Sequence, residues 1–389
     1  MNPLLFTPIE LRGVTLRNRI VVSPMLQYAS TGGFIDEWHH IPHLGKFSAG
    51  GAGLVFMEST KVEARGCSTR ADCGIWKDEF LPSLQRITEV IKRNGAVPGI
   101  QLGHSGRKAR RALPWEGRAP LEHCPGVDHG EHWELIGPSA IAHSSNSSTP
   151  REMTQDDIDT VTEAFGSAAR RADQAGFEVL EIHGGHGYLA HQFLSPVANR
   201  RTDRYGGSLE NRMRFAVDTA KRIRQSWPDH KPLFFRVSAV DENGWELEDS
   251  VVLARALKAA GVDVVDCSSG GMSESIGSEV ASPFGYQVPY ARRIRAGADI
   301  KTMAVGMIIH ADQAEEILQS GGADLVALAR EMLHNPNWPL DAAQKLGADA
   351  PFKLIPRIYA HYLERRARSK FGNPSTWQRG LNDASGAGR

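Results

Sequence analysis

The stretch Phe177-Glu-Val-Leu-Glu-Ile-His183-Gly-Gly-His186-Gly-Tyr188 decides the fold. Val179, Leu180 and Ile182 read as a buried strand that stops at two imidazoles and a phenol. Such an ending is poorly composed for packing and well composed for a polar substrate. In a parallel barrel, residues at the carboxyl ends of strands face the active site.

Working outward, the same strand-then-helix unit recurs. Upstream strands are expected at Arg19–Ser23, Leu54–Ser59 and Val97–His104, and downstream at Pro232–Ser238, Val262–Cys267, Lys301–Gly306 and Ala323–Arg330. Helical spacing lies between them, as in Phe80–Asn94, which is followed by Gly95. Thr154-Gln-Asp-Asp157 has the spacing of a capping box and opens a helix running to Ala175. Eight alternating units imply a parallel sheet closed into a (β/α)8 TIM barrel, an α/β fold. Pro8–Asn18 reads as a hairpin plugging the barrel floor. Residues 107–150 break the rhythm, being rich in Pro, Gly, Ser and His, and read as an excursion over the mouth. The barrel is expected over 1–345, with a helical extension and mobile tail over 346–389.

Lys+Arg and Asp+Glu both number 45, so the formal net charge is zero, and 41% of the 389 residues are hydrophobic. This balance argues against nucleic acid or an anionic membrane as partner. Four scattered cysteines argue against a disulfide scaffold, and neither a signal peptide nor a spanning segment shows. A cytoplasmic enzyme with a small-molecule substrate is expected.

The polar residues at the strand ends carry the chemistry. Gly306 after the seventh strand and Arg330 after the eighth stand where barrels hold phosphate, and Ser269-Gly270-Gly271 after the sixth supports that site. The alternative is a turn glycine and a surface arginine. Gln101 and Arg236 interrupt apolar strands. A buried arginine needs a partner, either an internal carboxylate or a planar, partly anionic ligand. His183 and His186 suit two N–H donors aimed at one oxygen, two metal ligands, or structural histidines; no third metal ligand is evident. Tyr188 can donate a proton.

Together, Ser23-Pro24-Met25, Gln101-Leu-Gly-His-Ser-Gly-Arg-Lys108, Ile182–Pro196, Asn199–Arg212 and Val305-Gly-Met307 resemble the Old Yellow Enzyme family of FMN-dependent ene-reductases. Tyr28 and the His-x-x-His form make the chain similar to the thermophilic-like bacterial subclass. The resemblance implies an FMN across the mouth. It would be bordered by Ser23, Pro24, Met25, Leu26 and Thr60, bonded by Gln101 and Arg236, and held at its phosphate by Gly306, Met307, Ala329 and Arg330, with Gly270 alongside. It further implies that NADPH or NADH supplies hydride and that His183, His186 and Tyr28 bind the substrate. Flavin N5 would then reduce an activated alkene (an enone or a nitro compound), with Tyr188 as proton donor. The subclass usually has cysteine where this chain has Leu26, which puts the redox tuning in question. Trp377-Gln-Arg379-Gly380 resembles a segment that reaches a neighbouring subunit, implying a homo-oligomer, dimer or tetramer. Without the resemblance, the phosphate site would also suit a non-redox barrel isomerase or aldolase acting on a phosphorylated substrate. An iron–sulfur flavin dehydrogenase is set aside, because the cysteines are unclustered.

Overall fold

A computed structural model describes residues 2–121, 134–241, 244–273 and 282–368. Eight parallel strands close on themselves: β1 (Ile20–Val22), β2 (Leu54–Lys61), β3 (Val97–Gly103), β4 (Val179–Gly184), β5 (Leu233–Ser238), β6 (Val264–Ser268), β7 (Lys301–Ala304) and β8 (Leu325–Leu328). They pair in chain order, and β8 returns to β1 through Val326 opposite Ile20. The expected barrel is therefore present. The expected helices are present too, with ends moved by a few residues, for example Leu81–Arg93 and Leu209–Arg224.

Strand alternation sorts the apolar residues into two cores. Inside the barrel, Val21, Leu54, Phe56, Val179, Phe234, Val264, Met303 and Leu325 pack with the hairpin residues Ile9, Leu11, Val14 and Leu16. The hairpin (Ile9–Leu11 with Val14–Leu16) thus plugs the floor as its sequence suggests. The outward residues, such as Val22, Ile100, Ile182 and Val265, pack against the helices. Each fully buried Leu, Val or Phe contributes roughly 1.5–3 kcal/mol, so these cores hold the scaffold rigid. Gly99 faces inward, where an added Cβ would lie 2.6 Å from the Phe56 ring. That close approach explains a glycine in mid-strand.

The capping box forms: the Thr154 hydroxyl accepts from the Asp157 N–H at 3.2 Å, and the Asp157 carboxylate accepts from the Thr154 N–H at 2.8 Å. It starts the helix Gln155–Gln174, which leads into β4. The excursion after β3 is anchored at its root. Arg107 is buried and its guanidinium donates to the carbonyls of Ile141, Ala142 and Met272. Ile136–Gly137 and Arg151–Glu152 pair in parallel, a two-strand element with no local cue in the residues that form it. Beyond β8 come helices Trp338–Lys345 and Arg357–Ala367. The segment around Arg379 lies outside the described residues. No helix among the described residues is long and apolar enough to cross a membrane.

Candidate active site

Toward their carboxyl ends, the inward positions of the strands turn polar. Gln101 on β3 donates to the Glu181 carboxylate on β4 at 2.8 Å. Arg236 on β5 donates to Ser23 Oγ at 3.0 Å and Ser268 Oγ at 3.0 Å, and its Nε lies 3.3 Å from Asp266 on β6. The internal partner that a buried arginine requires is therefore Asp266. Burial pushes both carboxyls up, and Asp266 pushes Glu181 further, while Arg236 pulls both down. One Glu181 oxygen and both Asp266 oxygens lack a hydrogen bond. This layer is the polar floor of the mouth.

Above it, the backbone leaves β4 through His183-Gly-Gly-His186, with His186 at φ 53°. The His186 N–H donates to Ser238 Oγ at 2.9 Å, and the Ser238 hydroxyl donates in turn to the Gly270 carbonyl at 2.7 Å. This chain ties the histidine turn to β5 and to Gly270. The His183 and His186 rings stand edge to face, 5.3 Å between centroids, and the Tyr188 ring lies 4.6 Å from His183. The three groups singled out by sequence converge. Burial, first, and the cations Arg236 and Lys108 hold both imidazoles well below the usual histidine range, so both are neutral near pH 7. The Gly185 N–H points at His183 Nδ1 at 3.5 Å, which leaves the ring proton on Nε2. Burial, first, pushes the Tyr188 phenol up to about 12, so it keeps its proton at neutral pH.

A cavity of about 590 Å³ opens beside these groups. Gly306, Met307, Ala329 and Arg330 line it on one side, and His186, Arg236 and Ser268 on the other. Gly306 has φ 106°, and an added Cβ would meet the Gln287 amide at 2.5 Å. Gln287 donates to the Val305 carbonyl and accepts from Ser269, bracing the ends of β6 and β7. Among the described residues, no acidic side chain pairs with the exposed Arg330 guanidinium. An unpaired cation facing strained backbone is a fitting cradle for an anionic phosphate, and Arg236 with Gln101 supplies donors for a polar ring edge. FMN fits this donor set.

The loop after β1 carries Pro24, Met25, Leu26 and Tyr28, all half-buried. The loop is pinned from behind. Glu58 accepts the Gln27 N–H at 2.7 Å and pairs with buried His39 at 3.0 Å. Tyr28 sits at φ 54° and stacks edge-on against Trp115 of the excursion. Thr60 is placed differently from its neighbours. It is fully buried with its hydroxyl turned back to the Glu58 carbonyl. A bulge at Met57/Ser59 resets the alternation, so Ser59 pairs with Gln101 and the inward polar residues are Ser59 and Lys61. Sequence reading placed Ser59 at the strand end but missed Lys61, and it missed Glu181, Asp266 and Gln287. Alternation from Gln101 and Arg236 could have found the two carboxyls; nothing local signalled the bulge.

Residues 4–349 match the family model described as the NADH:flavin oxidoreductase / NADH oxidase family. An NADPH dehydrogenase of Geobacillus sp. (strain WCH70) is 45% identical over 351 residues, 89% of this chain and 96% of that protein. An NADPH dehydrogenase of Bacillus subtilis (strain 168) is 41% identical over the same shares. Among solved structures, morphinone reductase superposes with a TM-score of 0.74 at 25% identity, covering 90% of this chain and 91% of that one. With a barrel mouth built to take FMN and matches of this extent, the chain belongs to the NADH:flavin oxidoreductase / NADH oxidase family and is an FMN-dependent, NAD(P)H-using oxidoreductase of the Old Yellow Enzyme kind.

Proposed function

We propose that this enzyme reduces the C=C bond of alkenes conjugated to a carbonyl or nitro group, with NADPH as the reductant. The observation that carries the reading is the cluster at the end of β4: two neutral imidazoles and a protonated phenol, edge to face, above the mouth. The NADPH dehydrogenases it resembles support the choice of coenzyme. The non-redox isomerase alternative falls with the family membership.

FMN, when bound, supplies the hydride chemistry between nicotinamide and alkene. Gly306, Met307, Ala329 and Arg330 would hold its phosphate, Gln101 and Arg236 its ring edge, and Ser23 to Leu26 its flank. His183 and His186 donate N–H bonds to the activating oxygen of the substrate. Being neutral, they can bind an uncharged carbonyl without first losing a proton, and they stabilise the negative charge that grows on that oxygen. Each donor of this kind is worth about 100- to 1000-fold in rate. Tyr188 then gives its phenolic proton to the α-carbon. Tyr28, across the mouth, supports the substrate's far side.

The product of cyclohexenone turnover with NADPH in heavy water tests this. The expected product is cyclohexanone bearing deuterium at the α-carbon. Formation of the allylic alcohol, or NADPH consumption with the enone intact, would contradict the reading.

A further inference from the structure

Lys61 ends β2 and is fully buried, an unusual place for an ammonium group. Its Nζ lies 3.2 Å from Ser59 Oγ, 3.5 Å from the Asp72 carboxylate and 4.9 Å from the centroid of the Tyr188 ring. Asp72 is itself buried and fixed. It accepts from the Ser68 N–H and hydroxyl, both at 2.6 Å, and from the Thr69 hydroxyl at 2.7 Å. Ser68 and Asp72 are both among the groups that act on the Tyr188 phenol. Lys61, Ser59, Asp72 and Ser68 therefore form one connected, buried group, with the Lys61 ammonium set against the Tyr188 ring. A structural ion pair would need only Lys61 and Asp72. Placing the cation over the phenol is an added feature, and the scaffold residues named above do not require it.

We propose that Lys61 is a positioning residue for the proton donor: its ammonium, fixed by Ser59 and Asp72, stabilises the phenolate that Tyr188 becomes when it protonates the substrate. The inference rests on Tyr188 as the donor. In that step the Tyr188 O–H bond breaks and a C–H bond forms at the α-carbon. The electron pair stays on the phenolate oxygen, and a proton from water restores the phenol. The other charged or titratable groups facing Tyr188 are Lys108 (5.5 Å from the ring centroid), Arg111 and Arg118 of the excursion, His183, Tyr28 and Asp72. Asp72 opposes phenolate formation, Arg118 and Arg111 favour it, and Lys61 pairs with Asp72 beneath the ring.

The test uses the FMN-loaded enzyme with Lys61→Met, Lys61→Arg, Tyr188→Phe and Lys61→Met combined with Tyr188→Phe. Each is reduced with NADPH and then reoxidised by cyclohexenone in a stopped-flow instrument across pH. Removing a cation that lies against the ring should make the phenolate harder to form, so Lys61→Met should slow reoxidation by about 10-fold. It should leave flavin reduction within about two-fold, and Lys61→Arg should restore most of the rate. In the Tyr188→Phe background, Lys61→Met should have no further effect. A 19F NMR titration of 3-fluorotyrosine at position 188 should show its pKa raised by Lys61→Met. Should Lys61→Met not take up FMN, Lys61→Gln, which keeps a donor toward Ser59 without the charge, carries the same expectation. Normal reoxidation by Lys61→Met with slow reoxidation by Tyr188→Phe overturns the proposal alone. Equal slowing of both half-reactions also overturns it, since that marks a structural residue. Fast reoxidation by Tyr188→Phe overturns the donor reading, and this proposal with it.

Discussion

The two walls of the mouth bind by different means. On the wall made by β7 and β8, the contacts offered are backbone groups held at positive φ, braced by Gln287, plus one permanent cation, Arg330. On the wall made by the end of β4, they are titratable side chains: His183, His186 and Tyr188, with buried Lys61 behind the phenol ring. The contacts that the first wall offers are backbone groups and a guanidinium, which suits an anionic group that must stay bound. The second holds neutral imidazoles and a protonated phenol beside ammonium groups, which suits a substrate whose charge changes during reaction. The difference teaches that cofactor retention and proton chemistry are separable, and substitutions on each wall should fail differently.

The largest expected effect is on the second wall. Tyr188→Phe should slow reoxidation by an enone by about 100-fold or more while FMN content stays normal. Rapid-mixing rates and the visible absorbance of the purified variant check both halves of that statement. On the first wall, Arg330→Ala removes a charge-assisted contact of about 1.5–3 kcal/mol. FMN should then bind roughly 10- to 100-fold more weakly, as read by titration of the apoprotein, while the saturated enzyme keeps its alkene rate. A variant that kept FMN but lost turnover would merge the walls and break the comparison. Gly306→Val forces a branched side chain into φ 106° and against Gln287. It should lower FMN occupancy and leave Tyr188 chemistry intact in whatever fraction is loaded.

The remaining effect lies outside both walls and is a pH dependence of stability. Burial, above all, holds His43 and His191 down at about 3. The sign follows from linkage. The unfolded chain binds these protons below 6.5 and the folded chain does not, so stability falls as pH drops from 6.5 toward 3. Each should contribute a slope of about 1.4 kcal/mol per pH unit in that window. Urea midpoints of His43→Gln against the parent at pH 7 and pH 5 measure it; an identical decline would remove His43 from this account.

Much of this was legible in the sequence, for a physical reason. Buried parallel strands are near-continuous apolar runs, so a polar residue at a strand end stands out, as His183, Arg236 and Gln101 did. The capping box at Thr154 was legible because its cause is local. What stayed hidden depends on non-local geometry. The bulge at Met57/Ser59 turns Ser59 and Lys61 inward and Thr60 back on its own strand, and only the pairing with β3 reveals it. Glu181 and Asp266 sit within apolar strands and take their meaning from Gln101 and Arg236, their partners on the neighbouring strands. The parallel pair Ile136–Gly137 with Arg151–Glu152 is too short to carry a periodic signal.

The central claim is that two neutral imidazoles at the end of β4 hold the substrate's oxygen while the cofactor is held elsewhere. The most direct measurement is the reoxidation of NADPH-reduced enzyme carrying His183→Ala and His186→Ala together, mixed with cyclohexenone. We expect full FMN content, near-normal reduction by NADPH and reoxidation slowed by about 1000-fold or more. Reoxidation at the parent rate would contradict the account.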